Sequence, residues 1–290
     1  MFVEFAQFPA FSLTCVGIVG LIIGSFLNVV IVRFPKMLQM QWRLDAQTYL
    51  HDNNELLVNP PHVPYNLLFP PSHCTHCDTP IYILDNIPVL GFLMLKGRCR
   101  SCQEPISWRY PLVELLTAFV SVITIYKLGF NWLGIAGLIF TWALIALSFI
   151  DIDSHLLPDD IILPFLWGGL LINLQHGFTN IQSALIGAMG AYLFLWSVFW
   201  TFRIFTHKEG MGYGDFKFFA MLGAWLGFQK LPMIILIAST IGTIVGIGLI
   251  LVKHRNKQAP IPFGPFLAIA GWLGLLWGDI LSFFPNLTHL

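Results

Sequence analysis

Charge is scarce in this sequence. Only 10% of its 290 residues are Asp, Glu, Lys or Arg, against roughly 25% in an average soluble domain. The 15 acidic and 15 basic residues cancel, so the chain has no electrostatic footprint for nucleic acid, and no such partner is expected. No Lys or Arg precedes Arg33. The basic segment that opens a cleavable signal peptide is therefore missing, and 13–32 is expected to be a retained first span. Missing too are Gly-x-Gly-x-x-Gly, a Walker loop, His-Glu-x-x-His and Gly-x-Ser-x-Gly. Their absence removes the common nucleotide, zinc-protease and serine-hydrolase readings.

What the chain has in abundance is apolar sequence. It is 56% hydrophobic, in blocks of about 20 residues, the length an α-helix needs to cross a bilayer core of about 30 Å. The expected fold is an all-α polytopic membrane protein with about eight transmembrane helices and a small cytoplasmic metal-binding insert. The spans fall near 11–32, 110–127, 130–150, 161–175, 183–205, 216–229, 231–252 and 262–283, the fourth and sixth being short. The corresponding domains are a first span (1–32), a tetracysteine segment (33–109) and a seven-span membrane domain (110–290). Small-residue spacings at Gly20/Gly24, Gly242/Gly246 and Gly274/Gly278 let helices approach closely. Asn28, inside the first span, is expected to hydrogen-bond to a neighbouring helix. Met37–Leu50 reads either as an interfacial helix or as a solvated loop, and no internal repeat is evident.

Orientation follows from the basic residues. With the N-terminus outside, Lys127 and Lys230 are alone in one set of loops. The other thirteen of the 15 basic residues, from Arg33 to Lys257, fall in the opposite set. That set is expected to be cytoplasmic, and it places Asp151 and Asp215 on the same cytoplasmic side.

Four of the five cysteines form two Cys-x-x-Cys pairs, Cys74/Cys77 and Cys99/Cys102, separated by 21 residues. Each turn offers two thiolates to one side, and two turns complete a tetrahedral site. Thiols on the cytoplasmic side stay reduced, and a short Pro-containing segment needs a staple. Structural zinc is the expectation; redox thiols, or His73 or His76 replacing a cysteine, are the alternatives. Cys15 reads as a small apolar filler of the first span.

The carboxylates at span ends carry the chemistry. An ionisable group at a membrane helix is expensive and is by default a functional hypothesis. Asp151 and Asp153 lie about 200° apart around a helix, so they cannot both face one site on a continuous helix. Asp159 and Asp160 suit a helix N-terminus, where acidic side chains offset the dipole. Asp215 follows Gly210-Met-Gly-Tyr-Gly214, a run permissive enough to bend near a substrate. As a helix cap it would be structural; facing a second acidic span end, it supplies half of an aspartic-protease pair. Glu114 either pairs with Arg109 or contributes to a substrate groove.

Six segments carry a resemblance: Gly24-Ser-Phe-Leu-Asn-Val-Val-Ile-Val-Arg-Phe-Pro35, Asp85-Asn-Ile-Pro88, Ile106-Ser-Trp-Arg-Tyr-Pro-Leu-Val-Glu114, Asp151-x-Asp153-x-x-x-Leu-Pro-Asp159, Gly212-x-Gly-Asp215-x-Lys217 and Pro262-Phe-Gly-Pro-Phe266. In this order they resemble the motifs of bacterial type IV prepilin peptidases. Thr75, where the family often has Pro, and Phe218, where Leu is common, are small departures. The resemblance implies a bifunctional multi-pass enzyme of the bacterial inner membrane with its active site on the cytoplasmic side. Such an enzyme cleaves the basic leader of type IV prepilins and type II secretion pseudopilins after Gly. It then methylates the new N-terminal residue, usually Phe, with S-adenosylmethionine. The family's catalytic aspartates fall on Asp151 and Asp215, which resolves the choice helix geometry leaves open between Asp151 and Asp153. No segment is assigned to S-adenosylmethionine. The rival readings are another Gly-x-Gly-Asp intramembrane aspartic protease without methyltransferase activity, and a transporter. A transporter would carry its polar groups near mid-span.

Overall fold

The computed structural model describes residues 9–51, 65–208, 210–253 and 261–281. The polar stretch 52–64 and two of the basic residues, Arg255 and Lys257, lie outside them. The described residues contain no strand, only two isolated β-bridges. The helices are α1 (Pro9–His51), α2 (Leu90–Met94), α3 (Arg109–Leu128), α4 (Trp132–Ser154), α5 (Asp159–Leu174), α6 (Ile181–Thr206), α7 (Tyr213–Leu226), α8 (Leu231–Lys253) and α9 (Gly264–Leu281). All but the short α2 overlie the eight expected spans.

Five helices, α1, α3, α4, α6 and α8, are long and apolar enough to cross a membrane. α5 and α7 have 16 and 14 residues, about 24 and 21 Å at 1.5 Å per residue, less than a full bilayer core. α6 leaves Leu185, Ile186, Met189, Leu193 and Phe194 exposed. A row of that kind needs lipid rather than water around it. The chain is a multi-pass membrane protein.

α1 differs from the expectation. It does not stop near residue 32 but continues through Pro35 to His51 as one helix of 43 residues, so Met37–Leu50 is helical rather than a loop. The chain forms two compact units, residues 1–123 and 124–290, and the division falls within α3.

In the first unit α1 lies against α3 at the spacing the glycines mark. A Cβ on Gly20 would stand 2.7 Å from Ala118 Cα, and one on Gly24 would stand 2.7 Å from Glu114 Cα. The Asn28 side chain donates to the Tyr110 carbonyl on α3 at 3.1 Å, the expected bond between helices. In the second unit the other glycine pairs serve differently. Gly242 receives the Phe266 ring and Gly274 the Ile234 side chain, so the space is filled by knobs rather than by a second backbone.

The second unit is built around α7, which is buried from Asp215 to Leu226 apart from Lys217. Gly223 on α7 meets Gly187 on α6 backbone to backbone, since a Cβ on either would stand within 2.7 Å of the other's carbonyl oxygen. Trp225 stacks on Phe140 with ring centroids 4.2 Å apart and donates to the Phe165 carbonyl at 2.6 Å. Asn173, 1% exposed, donates to the carbonyls of Ala224 and Trp225 and accepts from the N–H groups of Phe178 and Thr179. That one amide satisfies carbonyls in the last turn of α7, which have no partner within their own helix, and two N–H groups of the connection between α5 and α6. Replacing it by Ala would leave those groups buried and unpaired, at a cost of about 2–4 kcal/mol. Asn173→Ala is expected to lower the melting temperature of the detergent-solubilised protein sharply, and an unchanged melt would show that this amide does not hold α7.

Candidate active site and metal centre

The four cysteines of the insert come together. Their sulfurs all lie within 4.8 Å of one another, with Cys74 to Cys102 at 3.8 Å and Cys77 to Cys99 at 4.0 Å. Four sulfurs bound tetrahedrally at about 2.3 Å from one ion stand about 3.8 Å apart, so the donor set fits a metal.

The two turns that present these sulfurs are equivalents, 25 residues apart. Cys74 N–H donates to Thr79 O and Cys99 N–H to Glu104 O; Asp78 N–H donates to Cys74 O and Gln103 N–H to Cys99 O. Asp78 and Gln103 share a positive φ, and His73↔Pro80 and Arg98↔Pro105 close the two turns. The sequence holds this short repeat as Cys-x-x-Cys-x-x-Pro-Ile, at 74–81 and 99–106, too brief to register as an internal repeat without the geometry.

The thiols titrate unequally. Hydrogen bonds from the Thr79 hydroxyl and backbone hold the Cys77 thiol down to about 6. Cys102, despite a backbone hydrogen bond at Glu104 that favours its thiolate, is pushed up to about 12 by burial and by the other three thiols. Crowded sulfurs cannot all ionise unaided, and a cation among them removes that conflict.

The carboxylate site lies in the second unit. Asp151 sits in the last turn of α4, 5% exposed, whereas Asp153 on the same helix is exposed. The helix runs unbroken through both, so its periodicity turns one inward and the other out. Asp215 sits in the first turn of α7, 7% exposed, after the three glycines. The two carboxyl groups are close enough for their charges to interact.

Each has one oxygen held by a backbone N–H. Asp151 Oδ2 accepts from Gly264 N–H, at the start of α9, at 2.9 Å. Asp215 Oδ2 accepts from Gly212 N–H at 3.2 Å, the helix-cap role. Its other oxygen, Oδ1, is buried with no hydrogen-bond partner among the described residues. Cap and candidate reactive group thus coexist in one side chain, on different oxygens.

Leu157 closes the site between the two halves. A Cβ on Gly214 would stand 2.7 Å from Leu157 Cβ, and one on Gly264 would stand 2.7 Å from Asp151 Oδ2 and 3.3 Å from Leu157 Cδ2. These are close approaches that exclude any side chain. Asp159, in the exposed first turn of α5, pairs with Lys217 of α7 at 2.6 Å, and so ties the two aspartate motifs outside the buried pair. Gly264 and Leu157 are the residues that sequence reasoning left without a role. The Pro262–Phe266 segment was a signal for the first, but nothing local marks it as the donor to Asp151.

The chain matches two family descriptions in tandem: the Bacterial Peptidase A24 N-terminal domain over residues 18–128 and the Type IV leader peptidase family over residues 138–247. A prepilin leader peptidase/N-methyltransferase of Aeromonas hydrophila is 54% identical over 274 residues, 94% of this chain and 93% of the relative. Proteins of the same name from Stutzerimonas stutzeri and Pseudomonas aeruginosa are each 48% identical, over 97% and 96% of this chain and 96% and 94% of their own lengths. No solved structure matches.

The tetracysteine cluster is expected to hold one metal ion per chain, measurable by elemental analysis of gently purified protein. Cys74→Ser or Cys99→Ser should lower both metal content and thermal stability. Active protein free of metal would leave reduced thiols as the answer.

Proposed function

The chain belongs to the type IV leader peptidase family, and on that premise we propose a prepilin leader peptidase and N-methyltransferase acting through Asp151 and Asp215. It removes the basic leader of type IV prepilins and type II secretion pseudopilins after Gly, on the cytoplasmic side of the bacterial inner membrane. It then N-methylates the new first residue, usually Phe, with S-adenosylmethionine as donor. The observation that carries the reading is a pair of buried carboxylates from two helices whose neighbouring glycines, Gly264 and Gly214, both close on Leu157, one carboxylate keeping an oxygen with no partner among the described residues.

The chemistry follows from that arrangement. Two neighbouring buried carboxyl groups resist ionising together, so one acts ionised and the other protonated. The ionised group takes a proton from water as the water attacks the scissile carbonyl. The protonated one donates a hydrogen bond to the developing oxyanion. No covalent intermediate is needed. Since both Oδ2 atoms accept from backbone N–H groups, proton exchange and water activation are left to the Oδ1 atoms. The apolar part of a prepilin suits the helices around the site, and its basic leader the cytoplasmic loops. Zinc is the metal that best suits four thiolates with no open position, and its role is structural.

A Gly-x-Gly-Asp protease without methyltransferase activity would share the pair. The tetracysteine insert and the names of the relatives favour the bifunctional reading. Incubating purified protein with a prepilin, with and without S-adenosylmethionine, tests it by mass spectrometry: leader loss in both arms and an added methyl in one is the expected result.

Asp151→Asn and Asp215→Asn are each expected to reduce cleavage by roughly 10³-fold or more, with the double variant scarcely worse, because the pair acts as one device. Asp153→Asn should cost far less; the reverse ranking would refute the assignment of Asp151. Gly264→Ala, by pushing Asp151 aside, should cost on the order of 10²-fold. Cleavage should fall on both the acid and alkaline sides, since one proton in the pair is required. Reporter fusions after Gly177 should read as periplasmic and after Lys208 as cytoplasmic. A periplasmic signal at Lys208 would separate the two aspartates across the membrane and end the protease reading.

A further inference from the structure

The insert leaves a set of large apolar side chains exposed. In the turn Ile83–Asn86, Ile83 is 89% exposed and Leu84 is exposed beside it. On α2 the exposed positions are Leu90, Leu93 and Met94, one side of the helix. The backbone beneath these five residues is fixed. Asp85 turns inward, its side chain 6% exposed, and accepts two hydrogen bonds from Arg100 at 2.8 and 2.5 Å. α2 packs back on the same turn, since a Cβ on Gly91 would stand 2.1 Å from the Asp85 carbonyl oxygen. A segment held with its apolar side chains outward marks a surface that something apolar covers.

The depth of this segment follows from its two ties to α3. That helix has 20 residues and is apolar enough to cross a membrane; at 1.5 Å per residue it measures about 30 Å, the thickness of the hydrocarbon core with nothing to spare. Its first residue, Arg109, therefore lies at one face of the core, and Trp108, largely exposed, stands at the level where indole rings gather. The first tie is the Phe92 ring of α2, which packs on Trp108 with centroids 4.7 Å apart. The second is Val89, whose N–H donates to Glu114 Oε2 at 2.8 Å. Val89 holds a φ of 60°, rare for a β-branched residue and tolerated where surrounding structure imposes it; the buried Glu114, which the Ser25 side chain of α1 also hydrogen-bonds, is the acceptor that turn reaches. Glu114 is five residues into α3, about 7 Å along its axis. Leu90, next in the chain after Val89, thus starts α2 at the depth of the second turn of a membrane span. On α3 itself Leu112, Leu115 and Phe119 are exposed over the same stretch, a face that needs lipid around it.

We infer that residues 83–94 are seated in the bilayer, with their apolar side chains among the acyl chains of the leaflet in which α3 begins. The occupant of this surface is lipid because the segment is bonded to α3 at a depth where the outer face of α3 is itself lipid-facing. Interfacial helices bury an apolar face about 5–10 Å into the boundary of headgroups and acyl chains, which matches the level of Glu114. Lys96 and Arg98, exposed just after α2, suit the anionic headgroups above such a helix. Which leaflet this is follows from the orientation proposed above; the seating does not depend on it. The cysteine turns flank the segment, Cys77 six residues before Ile83 and Cys99 five residues after Met94. The sulfur cluster is therefore carried at the membrane surface, on an interfacial element rather than on a domain free in the cytoplasm.

The test is photolabelling of the full-length protein in nanodiscs of phosphatidylcholine and phosphatidylglycerol that include a lipid with a diazirine on its acyl chain, the label being mapped by mass spectrometry. Label in 83–94, alongside label in the exposed rows of α3 and α6, is the expected result. Label in those two helices with none in 83–94 overturns the proposal. Replacing two residues of the exposed face by charges, Leu93→Glu with Met94→Glu, should reduce labelling of 83–94 roughly fivefold or more, because a charge is expelled from the acyl region, while α3 and α6 are labelled as before. Undiminished labelling of the variant also overturns the seating. The unaltered protein decides the matter even if the variant fails to fold. Lysine-directed cross-links from Lys96 into 124–290 or into a second copy, in place of lipid label, would give this surface to protein contact and overturn the proposal.

Discussion

The hydrogen bond from Gly264 N–H to Asp151 Oδ2 is the contact on which the carboxylate site depends. A carboxylate buried at the end of an apolar helix needs a donor, and the first turn of α9 has N–H groups with no partner in their own helix. Each need meets the other, across 113 residues of sequence. The contact is possible only because residue 264 has no side chain. The neighbouring demand at Gly214, where Leu157 leaves no room for a Cβ, brings the Asp215 motif to the same place. Two close approaches, each enforced by a glycine, set the spacing of the pair.

Around this contact the second unit is organised to keep a short helix in place. α7 is less than a full span and would have little reason to hold a fixed depth by itself. It is held at one end by Asp159 and Lys217, in the middle by the crossing of Gly223 with Gly187, and at the other end by Trp225 and Asn173. Asp215 in its first turn inherits that placement. A functional carboxylate at an apolar helix end is costly, and the rest of α7 is packed so that the residue has no cheaper position to adopt.

The first unit solves a different problem. Among its described residues the insert has few buried apolar side chains, and two equivalent cysteine turns there converge on one set of sulfurs. Beside them a second buried carboxylate, Glu114, is fixed by contributions from three segments. The protein thus holds one buried carboxylate as half of an interacting pair and another as a lone acceptor. The same residue chemistry serves two ends because the partners differ: a second carboxyl group in one case, N–H and O–H donors in the other.

Much of this was legible in the sequence, and the reason is locality. Apolar blocks of about 20 residues identify membrane helices because the bilayer sets their length. Cys-x-x-Cys specifies its own turn, and Gly20/Gly24 marks a close helix approach because spacing by four keeps both on one face. Helix periodicity alone separated Asp151 from Asp153 in orientation. What sequence could not decide was anything set by packing between distant segments. The extension of α1 to His51 overrode a Pro that would by itself suggest an end. The equivalence of the two cysteine turns emerged only from their hydrogen bonds. That Gly264 serves Asp151, that Leu157 fills the gap beside Gly214, and that Val89 turns its N–H to Glu114 are consequences of how helices meet. Composition and spacing determined which groups the protein carries and on which elements; only the tertiary structure decided which donor each buried carboxylate receives, because that choice depends on contacts made by residues far apart in the chain.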